Sequence, residues 1–221
     1  MRIAILGGTG DIGQGLALRL GYDTDHDVVI GSREPERART KAEEYETELS
    51  SRGRDSKITG FHNEMAADRA DVLGLAIPPD HIPDVMRGVR DRLDEDTIVV
   101  SPATQMTRYE GGFRYDPPSA GSVAAKISRA APASNPVVGA FHPLSADRLA
   151  NLGLTFDLDT PVFGDDEDAK EIVSRIAEDI EGLRAVDAGS LEAAPVVESL
   201  TPLIITLGIQ GVGHDLGVKF Q

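Results

Sequence analysis

The segment Gly7-Gly8-Thr9-Gly10-Asp11-Ile12-Gly13 constrains this chain more than any other stretch. It follows the apolar run Arg2 to Leu6, which reads as a strand. It opens a stretch from Asp11 to Leu20 in which Leu16, Ala17 and Leu20 recur at helical spacing. A strand that turns through glycines straight into a helix leaves backbone N–H groups free at the helix start, where they can meet a phosphate. Gly8, Gly10 and Gly13 fit the dinucleotide fingerprint. In it the first glycine makes the turn, the second lets backbone approach a pyrophosphate, and the third lets helix pack on strand. Gly7, Gly10 and Gly13 fit a related spacing, so the register is open by one glycine.

Beyond this turn, short β-rich runs alternate with longer amphipathic segments, the pattern of βαβ units around a parallel sheet. The fold class expected is α/β: a Rossmann-like, doubly wound, mostly parallel sheet. Strands are expected at Asp27 to Gly31, Lys57 to Phe61, Val72 to Ile77, Thr97 to Ser101, Val137 to Phe141, Pro161 to Gly164 and Arg184 to Asp187. Pro35 suits the first turn of a charged helix from Glu36 to Leu49, Asn63 can cap a brief helix through Arg69, and further helices are expected at His81 to Leu93, Ser119 to Ala130, Ala146 to Leu152 and Glu167 to Ile180. Ala103 to Pro118 lacks periodicity and reads as a long loop. From Leu191 the chain reads as one long buried helix, apolar on more than one side through Val196, Val197, Leu200, Leu203, Ile204 and Leu207. The expected division is a dinucleotide-binding domain over 1–145 and a smaller C-terminal lobe over 146–221.

Composition removes several classes of chemistry. The 221 residues contain no cysteine, which excludes disulfides, thiolate catalysis and sulfur-bound metal. His26, His62, His81, His142 and His214 show no paired spacing, so no metal site is expected. With 22 basic and 37 acidic residues the formal net charge is -15, which opposes binding to nucleic acid or an anionic membrane. No apolar run of membrane-spanning length and no leader are expected, which implies a cytoplasmic protein. The acidic surface, with few lysines and runs such as Asp165-Asp166-Glu167-Asp168, suits a salt-rich interior where screening relieves self-repulsion.

The second strand ends Ile30-Gly31-Ser32-Arg33, without the carboxylate that usually bonds the ribose hydroxyls of NAD. Ser32 can donate to a 2′-phosphate, Arg33 can pair with it, and Arg37 lies one helical turn on, so NADP is the expected cofactor. Ligands of open α/β sheets bind outside the carboxyl ends of the strands. Those ends carry Thr9, Ile77-Pro78-Pro79, Ser101-Pro102 and Phe141-His142-Pro143-Leu144. Small apolar walls of this kind suit hydride transfer between stacked rings, and His142 is the polar group best placed to orient a second substrate.

Taken in order, several segments resemble the archaeal NADPH-dependent coenzyme F420 reductases, also called reduced-F420:NADP oxidoreductases. They are the glycine turn with Gly-Leu-Ala-Leu-Arg-Leu behind it, Gly-Ser-Arg at 31 to 33, Ile77-Pro78, Val-Val-Ser-Pro at 99 to 102, Gly-Asp-Asp at 164 to 166, Asp-Ala-Gly at 187 to 189, Val-Glu-Ser-Leu-Thr-Pro-Leu at 197 to 203 and Asp-Leu-Gly-Val-Lys-Phe at 215 to 220. The resemblance implies reversible hydride transfer between reduced coenzyme F420 and NADP, with no covalent intermediate. It implies that Gly8 to Gly13, chiefly Thr9, Gly10, Asp11 and Ile12, hold the NADP phosphates, with Thr9 also at the ring stack. Ser32, Arg33 and Arg37 take the 2′-phosphate, Ile77, Pro78 and Pro79 wall the site, and Ala146 and Leu216 touch the cofactor further on. His142, Leu144, Ser199 and Thr201 match the deazaflavin side. Pro195 stands where related sequences often carry an arginine, and Arg114, Lys126, Arg148 and Lys219 are candidates to offset the anionic F420 tail. Two other readings share the NADP site: a reductase of a small imine or keto substrate, and a non-catalytic NADP-binding redox sensor. A homo-oligomer is expected, built on the last helix.

Overall fold

A computed structural model describes residues 1–213 and 216–221. The strands are β1 (Arg2–Leu6), β2 (Asp27–Ser32), β3 (Ile58–His62), β4 (Val72–Leu75), β5 (Ile98–Ser101), β6 (Met106–Tyr109), β7 (Gly112–Tyr115), β8 (Val137–Gly139), β9 (Leu158–Gly164) and β10 (Leu183–Asp187). The helices are α1 (Asp11–Asp23), α2 (Pro35–Ser51), α3 (Asn63–Ala67), α4 (Ile82–Val89), α5 (Val123–Ala130), α6 (Ala146–Ala150), α7 (Glu167–Glu178), α8 (Ala194–Glu198) and α9 (Leu200–Ile209). Short 3₁₀ turns cover Pro79–His81, Arg90–Arg92 and Leu191–Ala193.

Eight strands form one sheet in the order β10-β9-β8-β5-β4-β1-β2-β3. Pairing is parallel throughout except between β8 and β9. The strand order reverses between β1 and β4, which opens a crevice at their carboxyl ends. Both faces of β1 are covered, and the strand alternation sorts its side chains accordingly. Ile3 and Ile5 join the core under α1, α2 and α7, whereas Ala4 and Leu6 join the core under α3, α4 and α5. The boundary expected at residue 145 falls between β8 and β9, which are hydrogen-bonded neighbours in this sheet.

Buried polar groups tie the later segments to the first half. Arg19 on α1 is 1% exposed and donates to the carbonyls of Leu149 (3.2 Å), Leu154 (3.1 Å), Arg148 (3.3 Å) and Asn151 (2.6 Å). Its guanidinium lies 4.9 Å from the Phe156 ring centroid, so α1 and the C-terminal end of α6 are clamped together. Glu198 is fully buried and accepts from Val123 N (3.0 Å), Ala124 N (3.0 Å) and the Tyr115 hydroxyl (2.9 Å). One carboxylate thus joins α8, the start of α5 and β7, although burial still holds its pKa above the ordinary range.

Three sequence expectations are corrected here. The stretch expected as a loop holds the antiparallel hairpin β6–β7, turned at Glu110-Gly111, where Gly111 has φ +95°. Asn63 is the first residue of α3 rather than its cap, and no side chain caps that helix. The closing segment is not one buried helix. Pro195 sits in the first turn of α8, a break follows at Ser199, and among the residues of α9 only Pro202 is buried, with Leu203 53% and Ile209 52% exposed. By length and mean hydropathy Leu191–Ile209 could also span a membrane, although it carries Glu192 and Glu198 and breaks at Ser199. The hydrogen bonds to Glu198 nevertheless anchor it in this fold. His214, one of the five histidines without paired spacing, and Asp215 lie outside the described residues.

Candidate active site

The glycine turn is built so that a side chain at three of its four glycines would collide with neighbouring atoms, whereas one at the fourth would make only an ordinary contact. Gly7 has φ +82°, and a Cβ there would meet Ala76 O at 2.2 Å. A Cβ on Gly8 would lie 2.6 Å from Ile30, and one on Gly13 would lie 2.2 Å from Gly7 O. A Cβ on Gly10 would meet only Gly7 O, at 3.4 Å. The register left open by the sequence is therefore resolved by a division of roles. Gly7 makes the turn, Gly8 and Gly13 permit packing, and Gly10 is the place where a ligand can approach the backbone. Tyr45 on α2 fixes the turn from beneath by donating from its hydroxyl to Gly8 O at 3.0 Å, and burial raises its pKa to about 12.

Two clefts open on this turn. The first, of about 410 Å³, extends toward the tips of β2 and β3 and is lined by Thr9, Gly10, Ser32, Arg33 and Arg37 among others. Arg33 and Arg37 form no ion pair among the described residues, although the chain carries a large excess of carboxylates. Arg37 makes only a long contact to Thr9 O at 3.5 Å, so both cations can turn to an anion. The second cleft, of about 510 Å³, lies toward β5, β8 and α9. Its walls are mainly Ile12, Pro79, Met106, Leu144, Ile204 and Ile205, with Asp11, Thr104, His142, Ala146 and Thr201 as the minority. Gly10, Ala76, Ile77 and Pro78 line both clefts, which makes them two arms of one trough across the switch point of the sheet.

His142 owes its place to strained backbone. Phe141 has φ +68°, the left-handed region that a bulky side chain rarely enters, and its N–H donates to Thr160 Oγ1 at 2.8 Å. The turn presents a buried imidazole to the second cleft, stacked on Phe163 with centroids 5.5 Å apart. Burial lowers its pKa to about 4, weakly opposed by the Ala103 backbone, and neither ring nitrogen has a partner at hydrogen-bonding geometry. The ring is neutral at physiological pH, with one nitrogen a donor and the other an acceptor. Thr201 donates to His142 O at 2.8 Å and lies 3.0 Å from Thr104 Oγ1, so α9 braces this wall.

Of the residues singled out in the sequence, Thr9, Gly10, Ser32, Arg33 and Arg37 meet in the first arm. Asp11, Ile12, Pro79, His142, Leu144, Ala146 and Thr201 meet in the second, with Ile77 and Pro78 between them. Gly8 and Gly13 act by packing. Ser199 and Leu216 line neither arm: the Ser199 hydroxyl donates to Val196 O at 2.6 Å, and Leu216 lies beside Gly213. Sequence reading missed Asn63, His62 and His81 in the first arm and Met106, Ile204 and Ile205 in the second. The alternation within the hairpin and the inner face of the last helix were the available signals for the latter group.

A cradle open at Gly10, unpaired arginines at one end and an apolar chamber at the other fit a phosphorylated dinucleotide whose ring meets a second flat substrate. Fold and site together define a Rossmann-type, NADP-linked oxidoreductase. Comparison with known proteins narrows this class. The family model described as "NADP oxidoreductase coenzyme F420-dependent" matches residues 2–105. The F420-dependent NADP reductase of Methanocaldococcus jannaschii is 37% identical over 99% of this chain and 97% of its own length. That of Methanothermobacter thermautotrophicus is 35% identical over 99% and 94%. The chain belongs to the F420-dependent NADP reductase family. A chain from Arthrobacter sp. FB24, whose crystal structure is described as a candidate F420-dependent NADP reductase, superposes with a TM-score of 0.80 over 100% of this chain and 99% of that one. At 23% identity it speaks for the fold alone.

Proposed function

We propose that this protein transfers a hydride reversibly between reduced coenzyme F420 and NADP, with NADP in the first arm of the trough and the deazaflavin in the second. The observation that carries this reading is the shared seam at Gly10, Ala76, Ile77 and Pro78, where a dinucleotide leaving the first arm enters the apolar chamber of the second. Bound there, the two rings supply the redox chemistry themselves. The protein's part is positioning and exclusion of water. Backbone N–H groups of Thr9, Asp11 and Ile12 take the pyrophosphate, the Gly10 N–H being donated to Gly7 O at 2.9 Å, and Ser32, Arg33 and Arg37 take the 2′-phosphate. Ile77, Pro78, Pro79, Leu144 and Ala146 set the ring spacing, while neutral His142 and Thr201 orient polar ring substituents. Ser199 and Leu216 come into this account only through the helix and tail that carry them.

The anionic F420 tail needs relief in so acidic a protein. Between Thr97 and Ala146 the chain carries four cations, Arg108, Arg114, Lys126 and Arg129, against two carboxylates, Glu110 and Asp116. None of the four forms an ion pair among the described residues, and Lys126 donates to the carbonyl of Pro79 at the chamber rim, 2.8 Å away. This flank suits the tail better than two other candidates. Lys219 is committed to Asp157 at 2.7 Å, and Arg148 lies over Phe156. We place the enzyme in the cytoplasm, without nucleic acid or membrane partners. We also assign the exposed apolar face of α9, with Leu203, Leu207 and Ile209, to contact with a second copy of the chain.

The test is to mix purified protein with oxidised F420 and NADPH in high salt and follow the deazaflavin absorbance. Bleaching at a catalytic protein concentration is expected. An unchanged spectrum together with reduction of a small imine would replace this reading.

A further inference from the structure

The first arm contains a buried polar group that the fold leaves unused. Asn63 is 8% exposed and lines this arm, and its Oδ1 has no hydrogen-bond partner. The side chain caps nothing, and no other hydrogen bond of it exists among the described residues. Buried amides are ordinarily satisfied, so an orphan amide in the wall of a cleft marks a place where a bound ligand, with a small turn of the side chain, supplies the missing partner. Its location says which part of the ligand that is. Ser32 pairs in register with His62, so Asn63 emerges beside the tip of β2. A Cβ on Gly31 would lie 2.9 Å from Asn63 Oδ1, so the amide oxygen rests over Gly31, next to Ser32 and Arg33.

We propose that Asn63 is a specificity-determining residue that reads the phosphorylated ribose, with Nδ2 donating to the 2′-phosphate and Oδ1 accepting from the neighbouring 3′-hydroxyl. The assignment rests on NADP occupying this arm, as proposed above. A primary amide offers one acceptor and two donors, which matches a hydroxyl beside a phosphate. A carboxylate in its place would offer acceptors alone. It would match two ribose hydroxyls and repel a phosphate. Neutrality at position 63 therefore complements the cations at 33 and 37: the arginines attract the phosphate, and the amide, unlike a carboxylate, does not repel it.

The test is isothermal titration of NADP⁺ and NAD⁺ into the wild type, Asn63→Asp and Asn63→Leu in high salt. Asn63→Asp is expected to weaken NADP⁺ by about 30-fold or more while leaving NAD⁺ within about threefold. Asn63→Leu is expected to weaken NADP⁺ by about 30-fold or more, through loss of both the phosphate and the hydroxyl contacts, and NAD⁺ by only about fivefold, through loss of the hydroxyl contact alone. The Asn63→Asp defect toward NADP⁺ should also shrink as pH falls and the new carboxyl takes up a proton, a response that a misfolded variant would not give. Equal changes for both nucleotides in Asn63→Asp, or none, overturn the role of Asn63. Absence of NADP⁺ binding by the wild type overturns the reading of the cleft itself.

Discussion

The glycine turn makes a prediction in which binding and folding separate. Gly10→Ala places a methyl group where the nearest atom outside its chain neighbours is Gly7 O at 3.4 Å, an ordinary contact. Gly10 has φ -97° and ψ 171°, which alanine adopts freely, and it is the N-cap of α1. Alanine is the poorer cap by about 0.5–1 kcal/mol. The smaller entropy of its unfolded chain offsets this by about 0.4–1 kcal/mol, so the net change should lie within about 0.5 kcal/mol. The methyl faces the cleft, however, and keeps the pyrophosphate from the backbone. Loss of one hydrogen bond to a charged group is worth about 1.5–3 kcal/mol, or roughly tenfold to 150-fold in NADP⁺ affinity. Gly13→Ala should behave in the opposite way. Its Cβ would lie 2.2 Å from Gly7 O and 2.7 Å from Gly8 Cα, both backbone atoms that cannot swing aside, and about 3 kcal/mol or more of stability should go. The chain has no tryptophan, so titration calorimetry is the appropriate binding assay, with urea denaturation followed by circular dichroism for stability. A Gly10→Ala variant that binds NADP⁺ like the wild type, or a Gly13→Ala variant of undiminished stability, would refute the assigned roles.

Three further outcomes are expected. Arg33→Ala should raise KM for NADPH at least tenfold while barely changing that for NADH, whereas equal losses would remove the 2′-phosphate from this mouth. Gly74→Ala should stabilise the protein by about 0.5–1 kcal/mol in urea denaturation, because the added Cβ would lie 3.6 Å from Ala4 O and 3.9 Å from Ile5 beside a void of about 30 Å³; destabilisation would mean that this part of the core is already full. His142, with its pKa lowered to about 4, takes up a proton more readily in the unfolded chain, so stability should be complete above pH 6.5 and decline as pH falls from there toward 4, by up to roughly 3 kcal/mol. Replacement by phenylalanine should flatten that decline, and an unaltered pH profile would place the lost stability in other groups.

How much of this was legible in the sequence depended on whether a signal was local. The central strands β1, β2, β4 and β5 could be read because parallel strands covered on both faces are continuous apolar runs. The phosphate turn was legible because strand, glycines and helix are adjacent in the chain. The hairpin was hidden by strands of only four residues, yet Tyr109-Glu110-Gly111-Gly112 held the two-residue turn signal, with glycine at positive φ. Burial of the last helix could not be judged from its apolar residues alone, because Leu203 and Ile209 face outward while Ile204 and Ile205 line the chamber. Asn63 reads locally as a cap, whereas its place in the wall of the first arm follows from the pairing of β3 with β2, which no local signal carries.

The central claim is that the two arms form one trough in which the rings of NADP and the deazaflavin meet directly. A single turnover of oxidised F420 with NADPH carrying deuterium at the transferring position, run in ordinary water and read by mass spectrometry, tests it most directly. The account predicts that the deuterium arrives on the reduced deazaflavin ring in nearly every molecule. Reduced F420 without the label would mean that the hydride passes through an exchangeable carrier, and the shared trough would lose its purpose.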